Sequence, residues 1–186
     1  GLRAILRQDP DIVMVGEIRD LETAEISVQA SLTGHLVLST LHTNTAIGAI
    51  ARLVDMGVPP FLLASSLIGV IAQRLVRKIH EECKEEVSLD EETFKRVKEI
   101  LAKLPSSSYV LGSRSLRFFR GRGCTKCFNL GYKGRMGIYE IMIMNKEIEE
   151  VILSGKVSEY TIQEIAVKSG MITMVQDGLL KALDGI

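Results

Sequence analysis

A buried β-strand is predicted by the stretch DIVMVGEIRD, residues 11–20. Its apolar run from Ile12 to Val15 has no polar interruption, as in strands that are covered on both faces of a parallel sheet. Asp20 is a residue type that caps helices, so we expect a helix over residues 21–33. This first strand is therefore followed at once by a helix.

A second strand is predicted at residues 35–41, within the stretch TGHLVLSTLHT, residues 33–43. The strand is apolar and partly β-branched, and Asn44 or Thr45 can begin the helix that follows it. Strands that alternate with helices predict an α/β fold with a parallel sheet and right-handed crossovers. The carboxyl ends of both strands then lie at one edge of the sheet, where proteins of this class bind ligands.

The composition predicts a soluble globular protein. Hydrophobic residues make up 46% of the 186 residues, and 23 basic residues balance 23 acidic ones. No apolar stretch approaches the roughly 20 residues that span a bilayer, and no signal-peptide pattern opens the chain. We therefore expect a cytoplasmic protein whose zero net charge gives no global attraction to nucleic acid.

Charge is nevertheless segregated along the sequence, and two interpretations are open. The two segments either pack beside each other and neutralise, which we favour, or the basic one forms an external binding site. The acidic segment contains Glu81, Glu82, Glu85, Glu86, Asp90, Glu91 and Glu92, and the basic segment contains Arg114, Arg117, Arg120, Arg122, Lys126, Lys133 and Arg135.

Polar side chains follow both predicted strands at the ligand-binding edge. Glu17 there can hold a magnesium ion or orient an attacking water, although a helix cap or solvated turn is the alternative for an acidic residue after a strand. His42 lies at the same edge, whereas His35 precedes the second strand. Seven residues of strand span roughly 23 Å and an odd offset points side chains to opposite faces, so the two histidines cannot share a metal ion. A packed or hydrogen-bonded structural histidine is the alternative for His35.

A split metal site is predicted by two pairs of ligands with the same spacing. Cys124 and Cys127 form a two-residue-gap knuckle, and His80 and Cys83 repeat that gap about forty residues earlier. Together they make a Cys3His set suited to one Zn²⁺. Three cysteines are too few for a disulfide framework and suit a reducing compartment. The alternative is a zinc-free cluster in which the cysteines are ordinary small buried residues.

Both opening motifs resemble those of one family, the type II secretion and type IV pilus assembly ATPases. Residues 11–20 resemble its Walker B segment, and residues 33–43 resemble its His box with both histidines. The stretches GRMGIYE, residues 134–140, and GMITMVQDG, residues 170–178, are also similar to this family. The resemblance therefore covers nearly the whole chain, and it implies the C-terminal part of a RecA-like P-loop NTPase domain with a small zinc-binding module and C-terminal helices.

The resemblance also implies roles for individual residues. Glu17 would be the acidic group at the magnesium ion and water, and His42 would act with it in catalysis. His35 and Arg19 would serve nucleotide sensing or the subunit interface. Many assembly ATPases of this family carry a four-cysteine zinc module at the position of the predicted metal site, from which His80 departs. We expect three parts, which are the ATPase core at residues 1–79, the zinc module at 80–143 and the helical segment at 144–186.

No glycine-rich loop that ends in Lys-Ser or Lys-Thr occurs in the sequence. Such a loop supplies the backbone amides and the lysine that hold phosphates, so we expect the chain to be inactive alone and its parent to be the ATPase. For the parent, the resemblance implies ATP with Mg²⁺, a homo-hexamer, an inner-membrane platform protein as partner and a cytoplasmic location peripheral to the inner membrane. The rival interpretation is a zinc-ribbon adaptor that binds nucleic acid or anionic lipid through the basic arm, with Phe118, Phe119, Phe128 and Tyr132.

Overall fold

A computed structural model of the chain describes residues 4, 6, 8, 10–104 and 116–186. The chain divides into two compact units, one from residues 1–70 and 142–166 and the other from residues 71–141 and 167–186. The predicted functional parts at 1–79, 80–143 and 144–186 stay a prediction. The helices and strands of the described residues are, in chain order, β1 (Ile12–Val15), α1 (Leu21–Leu32), β2 (Leu36–Ser39), α2 (Ala46–Asp55), α3 (Pro60–Ser66), β3 (Gly69–Ile79), β4 (Lys84–Val87), α4 (Glu91–Leu101), β5 (Phe118–Gly121), β6 (Tyr132–Ile143), α5 (Lys146–Leu153), α6 (Glu159–Lys168) and α7 (Met174–Leu183).

The first unit contains the predicted parallel strand pair. Strand β1 pairs with β2 in parallel, with Ile12 opposite Leu36. The Asp20 side chain accepts a hydrogen bond from the Thr23 amide at 2.8 Å and so begins α1, and the Thr45 side chain begins α2 in the same way. These caps and the parallel pairing confirm the α/β prediction.

The expectation that β1 is covered on both faces is wrong for the described residues. Val13 is buried, but Ile12 is 60% exposed and Met14 is 77% exposed. Their neighbours on the same face of β2, Leu36 and Leu38, are exposed as well. Helix α1 packs on β2, and within the part of the chain that the structure describes the other face of this two-stranded sheet is open.

Helix packing supplies the core of the first unit. Helix α3 packs against α1 and α5, and the side chains of Ile50, Leu63, Ile148 and Ile152 are fully buried there. Burial of each such side chain contributes roughly 1.5–3 kcal/mol, so this packing supplies much of the stability of the first unit.

In the second unit the acidic and basic segments pair directly. Strand β4 runs antiparallel to β5, with Glu85 opposite Arg120. The Arg120 Nε lies 2.7 Å from the Glu85 carboxylate, and Arg117 pairs with Glu86 at 3.7 Å. Mutual neutralisation of the two segments is therefore confirmed for these pairs, while Arg114 lies outside the described residues.

Several predicted boundaries differ from the structure. Strand β2 covers Leu36–Ser39 and is shorter than the predicted strand at residues 35–41. The sequence also predicts a strand at residues 69–76, and the observed strand β3 continues beyond it to Ile79.

For α4 the sequence predicts a start at a capping box of Ser88 and Glu91 and a stop at Pro105. The helix begins after Asp90 instead, because Asp90 accepts hydrogen bonds from both the amide and the hydroxyl of Thr93, at 2.8 and 2.7 Å. The predicted stop at Pro105 lies outside the described residues.

The stretches at residues 134–140 and 170–178 meet in the second unit. The buried Glu140 carboxylate accepts a hydrogen bond from the Met174 amide at 3.2 Å, and Asp177 accepts one from the Tyr139 amide at 2.8 Å. The Gln176 side chain donates to the Ile100 carbonyl at 3.2 Å, so α7 is tied to both β6 and α4. Residues 170–178 therefore stabilise the packing of α7 in the second unit.

Among the described residues, no helix has the length and apolar character that a membrane span requires.

Candidate functional site

The loops after β1 and β2 bring two of the predicted catalytic residues together. The His42 Nε2 lies 3.1 Å from the Glu17 Oε2. The Thr40 hydroxyl donates to the Gly16 carbonyl at 2.7 Å, and the Ile18 amide donates to the Thr40 carbonyl at 3.0 Å. These bonds extend the parallel pairing beyond the strands, so the two loops hold their side chains at one edge of the sheet.

A third side chain binds the same carboxylate oxygen. The Arg19 Nε lies 2.6 Å from Glu17 Oε2. The hydrogen bond from Arg19 is the largest influence on the pKa of Glu17 and lowers it, His42 adds to the lowering, and partial desolvation opposes both. Glu17 is thus an ionised carboxylate with one oxygen shared by two donors, while its other oxygen can bind a metal ion or accept a hydrogen bond from water.

His35 lies at the opposite end of β2. Its Nδ1 is 3.0 Å from the Ala30 carbonyl and 3.1 Å from the Thr33 hydroxyl, at the C-terminal end of α1. The geometry therefore separates the two histidines and gives His35 the hydrogen-bonded environment of a structural residue. The sensing or interface roles of His35 and Arg19, and the catalytic roles of Glu17 and His42, stay predictions.

Sequence reasoning missed Thr40 as part of this site. Its hydroxyl joins the two loops through Gly16. The sequence feature that could have indicated this role is a threonine directly after a strand and two residues before His42.

The second candidate site is the predicted metal cluster, and it lies wholly in the second unit. Two short 3-10 turns present its ligands, Glu81–Cys83 after His80 and Thr125–Cys127 after Cys124. The Arg122 amide donates to the Cys83 carbonyl at 3.0 Å, which holds the two turns side by side. His80, Cys83 and Cys127 are buried and Cys124 is partly so.

The ligand atoms have the spacing of a tetrahedral zinc site. With Zn–S near 2.3 Å and Zn–N near 2.0–2.1 Å, the edges of the tetrahedron are about 3.8 Å between sulfurs and about 3.5 Å between nitrogen and sulfur. Cys83 and Cys127 Sγ are 3.9 Å apart and Cys124 and Cys127 Sγ 3.7 Å apart. The His80 Nδ1 is 3.5 Å from the sulfurs of both Cys83 and Cys124. All four atoms lie within 4.8 Å of one another, so the donor set fits one Zn²⁺.

Backbone amides also favour the thiolate form of one cysteine in this cluster, and the thiolate is the form that binds a metal cation. Burial raises the pKa of the Cys127 thiol, but hydrogen bonds to its sulfur from the Cys124 and Gly131 amides outweigh burial and lower the pKa to about 7. Burial instead raises the pKa of Cys83. The Lys126 ammonium lies 2.6 Å from Glu82, so an ion pair joins the two turns beside the ligands.

The comparison with known proteins gives one family for the whole chain. The family model described as Type II/IV secretion system protein matches residues 1–186. The chain is 52% identical over 186 residues to the type IV pilus assembly ATPase PilB of Thermus thermophilus and 50% identical over 186 residues to the type II secretion system ATPase E of Vibrio cholerae. It matches along its full length but spans only 20% of the first relative and 34% of the second.

Solved structures agree on the fold. The whole chain superposes on 38% of the Legionella pneumophila ATPase DotB with a TM-score of 0.64 at 23% identity. It also matches the pilus retraction motor PilT with bound ADP over 95% of this chain and 41% of that one, with a TM-score of 0.51 at 30% identity. The α/β fold is therefore confirmed.

Proposed function

The chain belongs to the type II/IV secretion system protein family, and we propose that it is part of a hexameric motor whose ATP hydrolysis drives type II secretion or type IV pilus assembly. One observation carries the proposal. Glu17, His42 and Arg19 meet at the carboxyl ends of parallel strands, where α/β proteins bind nucleotides.

In this proposal Glu17 acts on the magnesium ion or the attacking water, since its carboxylate is ionised and only one of its oxygens is shared by Arg19 and His42. The phosphates of ATP need a glycine-rich loop that the sequence does not contain. The relatives are three to five times longer than the region matched, so the rest of the parent would supply that loop. The open apolar face of β1 and β2 would then pack against the remainder of the nucleotide-binding domain.

The proposal extends to the setting of the motor. The second unit would bind Zn²⁺ through His80, Cys83, Cys124 and Cys127, as an ordering element rather than a catalytic one. The parent would work as a homo-hexamer in the cytoplasm, peripheral to the inner membrane, with an inner-membrane platform protein as its partner.

The adaptor interpretation is not favoured. Of the aromatic side chains that it needs, Phe118 is buried, Phe119 lies under the Lys84 ammonium and Tyr132 lies under the Arg77 guanidinium. The basic residues Arg117, Arg120 and Lys126 are paired with glutamates. These aromatic and basic side chains already contact other residues of the second unit. Of the four aromatic residues that the adaptor interpretation uses, Phe128 alone is exposed without such a contact among the described residues.

Glu17→Gln in the full-length parent tests the proposal. We expect turnover to fall by at least roughly a hundredfold, about 2.7 kcal/mol of transition-state stabilisation, while ATP binding stays largely intact, because the amide keeps the shape but not the charge. Glu25→Gln, an exposed glutamate of α1, is the matched control and should leave both quantities unchanged. Near-normal turnover of the Glu17 variant would contradict the proposal.

A further inference from the structure

We propose that the tip of the second cysteine turn, residues 128–130, is a docking surface for a partner protein that offers an apolar pocket bordered by carboxylates. Phe128 is 86% exposed and Leu130 is 66% exposed. The proposal uses the metal site of the proposed function only as the scaffold that orders this tip. It does not depend on the ATPase activity.

The tip is held by backbone groups and not by its own side chains. The Asn129 amide donates to the Cys124 carbonyl at 2.9 Å, and the Leu130 amide donates to the Cys127 carbonyl at 3.0 Å. A Cβ at Gly121 would overlap the Gly131 carbonyl, and a Cβ at Gly123 would lie 2.7 Å from the Asn129 carbonyl oxygen. The two arms of the loop therefore touch, and they fix the direction in which the tip projects.

The backbone of Phe128 is the strongest sign that this side chain is there for a partner. Its φ of 51° and ψ of 40° place it in the left-handed region, which costs conformational free energy for any residue with a Cβ and least for glycine or asparagine. Asn129, with φ 59°, suits the same region. An aromatic residue at position 128 thus destabilises the turn that contains it. We expect a contact of its ring to compensate for this cost.

That contact does not lie within the described part of the second unit. Three other aromatic residues of the module, Phe118, Phe119 and Tyr132, are buried or covered by cationic side chains. The Phe128 ring makes none of the ring contacts found for the described residues. A single exposed apolar residue is ordinary, but one in an unfavourable backbone conformation at a fixed tip calls for a partner.

Charge indicates what surrounds the pocket of that partner. Arg122 and Arg135, on the arms that lead to and from the tip, take part in no ion pair among the described residues. Their neighbours on the same arms, by contrast, are paired with glutamates. Two exposed cations without an ion pair, on the arms beside an aromatic anchor, complement a pocket with an acidic border.

The same charges favour a protein over an anionic membrane. Glu81 and Glu82 are exposed on the neighbouring turn, where a layer of anionic headgroups would repel them. Two apolar side chains also bury too little surface for stable membrane anchoring. A protein pocket can instead admit Phe128 while its own side chains accommodate both signs of charge.

A photoreactive phenylalanine analogue at position 128 of the full-length parent, expressed in its native cells, would find the partner. Mass spectrometry should identify one protein other than the parent as the product. The analogue at Phe61, which is exposed in the first unit, is the control and should not give this product. No product, a lipid product alone or a product with a second copy of the chain would overturn the proposal.

Direct binding with purified proteins then tests the role of the side chain. Phe128→Gly should weaken binding of the identified protein at least tenfold, about 1.4 kcal/mol, while it leaves the zinc content and unfolding temperature equal or higher because glycine suits the left-handed turn. Loss of zinc or of stability in Phe128→Gly would show that the ring is structural and overturn the proposal. Binding of anionic vesicles that depends on Phe128 would overturn it in favour of a membrane.

The two proposals fail separately. If Phe128→Gly binds the partner normally while Glu17→Gln still abolishes turnover, only the docking surface is wrong. If the partner binds through Phe128 and Glu17→Gln keeps its turnover, only the ATPase assignment is wrong. Arg122→Glu should also weaken partner binding, and the effect should shrink as salt is added.

Discussion

The strand-end site and the metal cluster differ in how much of each site one unit supplies. Arg19 and His42 are exposed side chains on loops, and both bind a single carboxylate oxygen of the partly buried Glu17. The metal cluster is mostly buried, and its four ligand atoms already have the spacing that one ion requires. The ligand set of the predicted metal site is thus complete in this chain. The strand-end site, in the function we propose, would be one wall of a larger site.

Solvation explains why the two sites can differ in this way. A carboxylate in contact with water needs few protein partners. Glu17 can therefore stay ionised with only Arg19 and His42 as partners before a ligand binds. Buried thiolates lose their hydration and must be matched by amide donors and a cation. The two turns of the cluster therefore supply all four ligand atoms and the amide donors to the Cys127 sulfur. The loops around Glu17 supply fewer partners.

The largest expected effect is on the metal cluster. Cys124→Ser removes one thiolate, so zinc affinity should fall by more than the roughly 10- to 100-fold that changes around the ligands cost. Protein purified without chelator should carry about one zinc per chain before the substitution and none after it. Residues 80–143 should loosen in hydrogen exchange, because the small module has little core of its own, while β1 and β2 stay protected.

Lys126→Ala is the control for that experiment, since it breaks the ion pair with Glu82 but keeps all four ligands. It should retain its zinc. Zinc-free wild-type protein with all three thiols freely reactive would mean that the cluster is an apolar one, and the contrast between the two sites would disappear.

An intermediate effect is expected at the histidines. In the full-length parent His42→Ala should lower turnover roughly tenfold or more, about 1.4 kcal/mol, because it removes a donor to the Glu17 carboxylate at the strand ends. His35→Ala loses hydrogen bonds at the end of α1 and should cost about 1 kcal/mol of unfolding free energy with little change in turnover. Steady-state kinetics and thermal unfolding of both variants would check this, and the reverse ranking of turnover would contradict our placement of the site.

Much of this could be predicted from the sequence where the cause is local. Asp20 begins its helix as predicted, and Thr45, one of the two predicted candidates, begins the next, because a cap depends only on the next three residues. The parallel pair followed from alternation of strand and helix. The four residues of the predicted metal cluster could be named from the sequence, because a two-residue gap is a property of the chain itself.

What could not be predicted depends on packing or on competing local choices. An apolar run does not say which neighbours are present, so the exposure of Met14 was missed. Ser88 and Asp90 are both residue types that cap helices. The structure shows that Asp90 is the cap, since it accepts two hydrogen bonds from Thr93. The left-handed backbone of Phe128 had no sequence signal, because this region is rare for aromatic residues.

The smallest expected effect concerns Arg19. The guanidinium holds the pKa of Glu17 below its ordinary value, so Glu17 is ionised above that lowered pKa and becomes protonated as the pH falls through it. Arg19→Gln should raise the pKa of Glu17 and move the acid limb of the pH profile of turnover to higher pH, with a smaller change above neutrality, where Glu17 is ionised in either protein. Arg52→Gln, an exposed arginine of α2, is the control and should leave the profile in place. A uniform fall in turnover at every pH with an unmoved acid limb would instead mean that Arg19 acts away from Glu17, in nucleotide sensing or at a subunit interface, and that the exposed pair seen here is not the working contact.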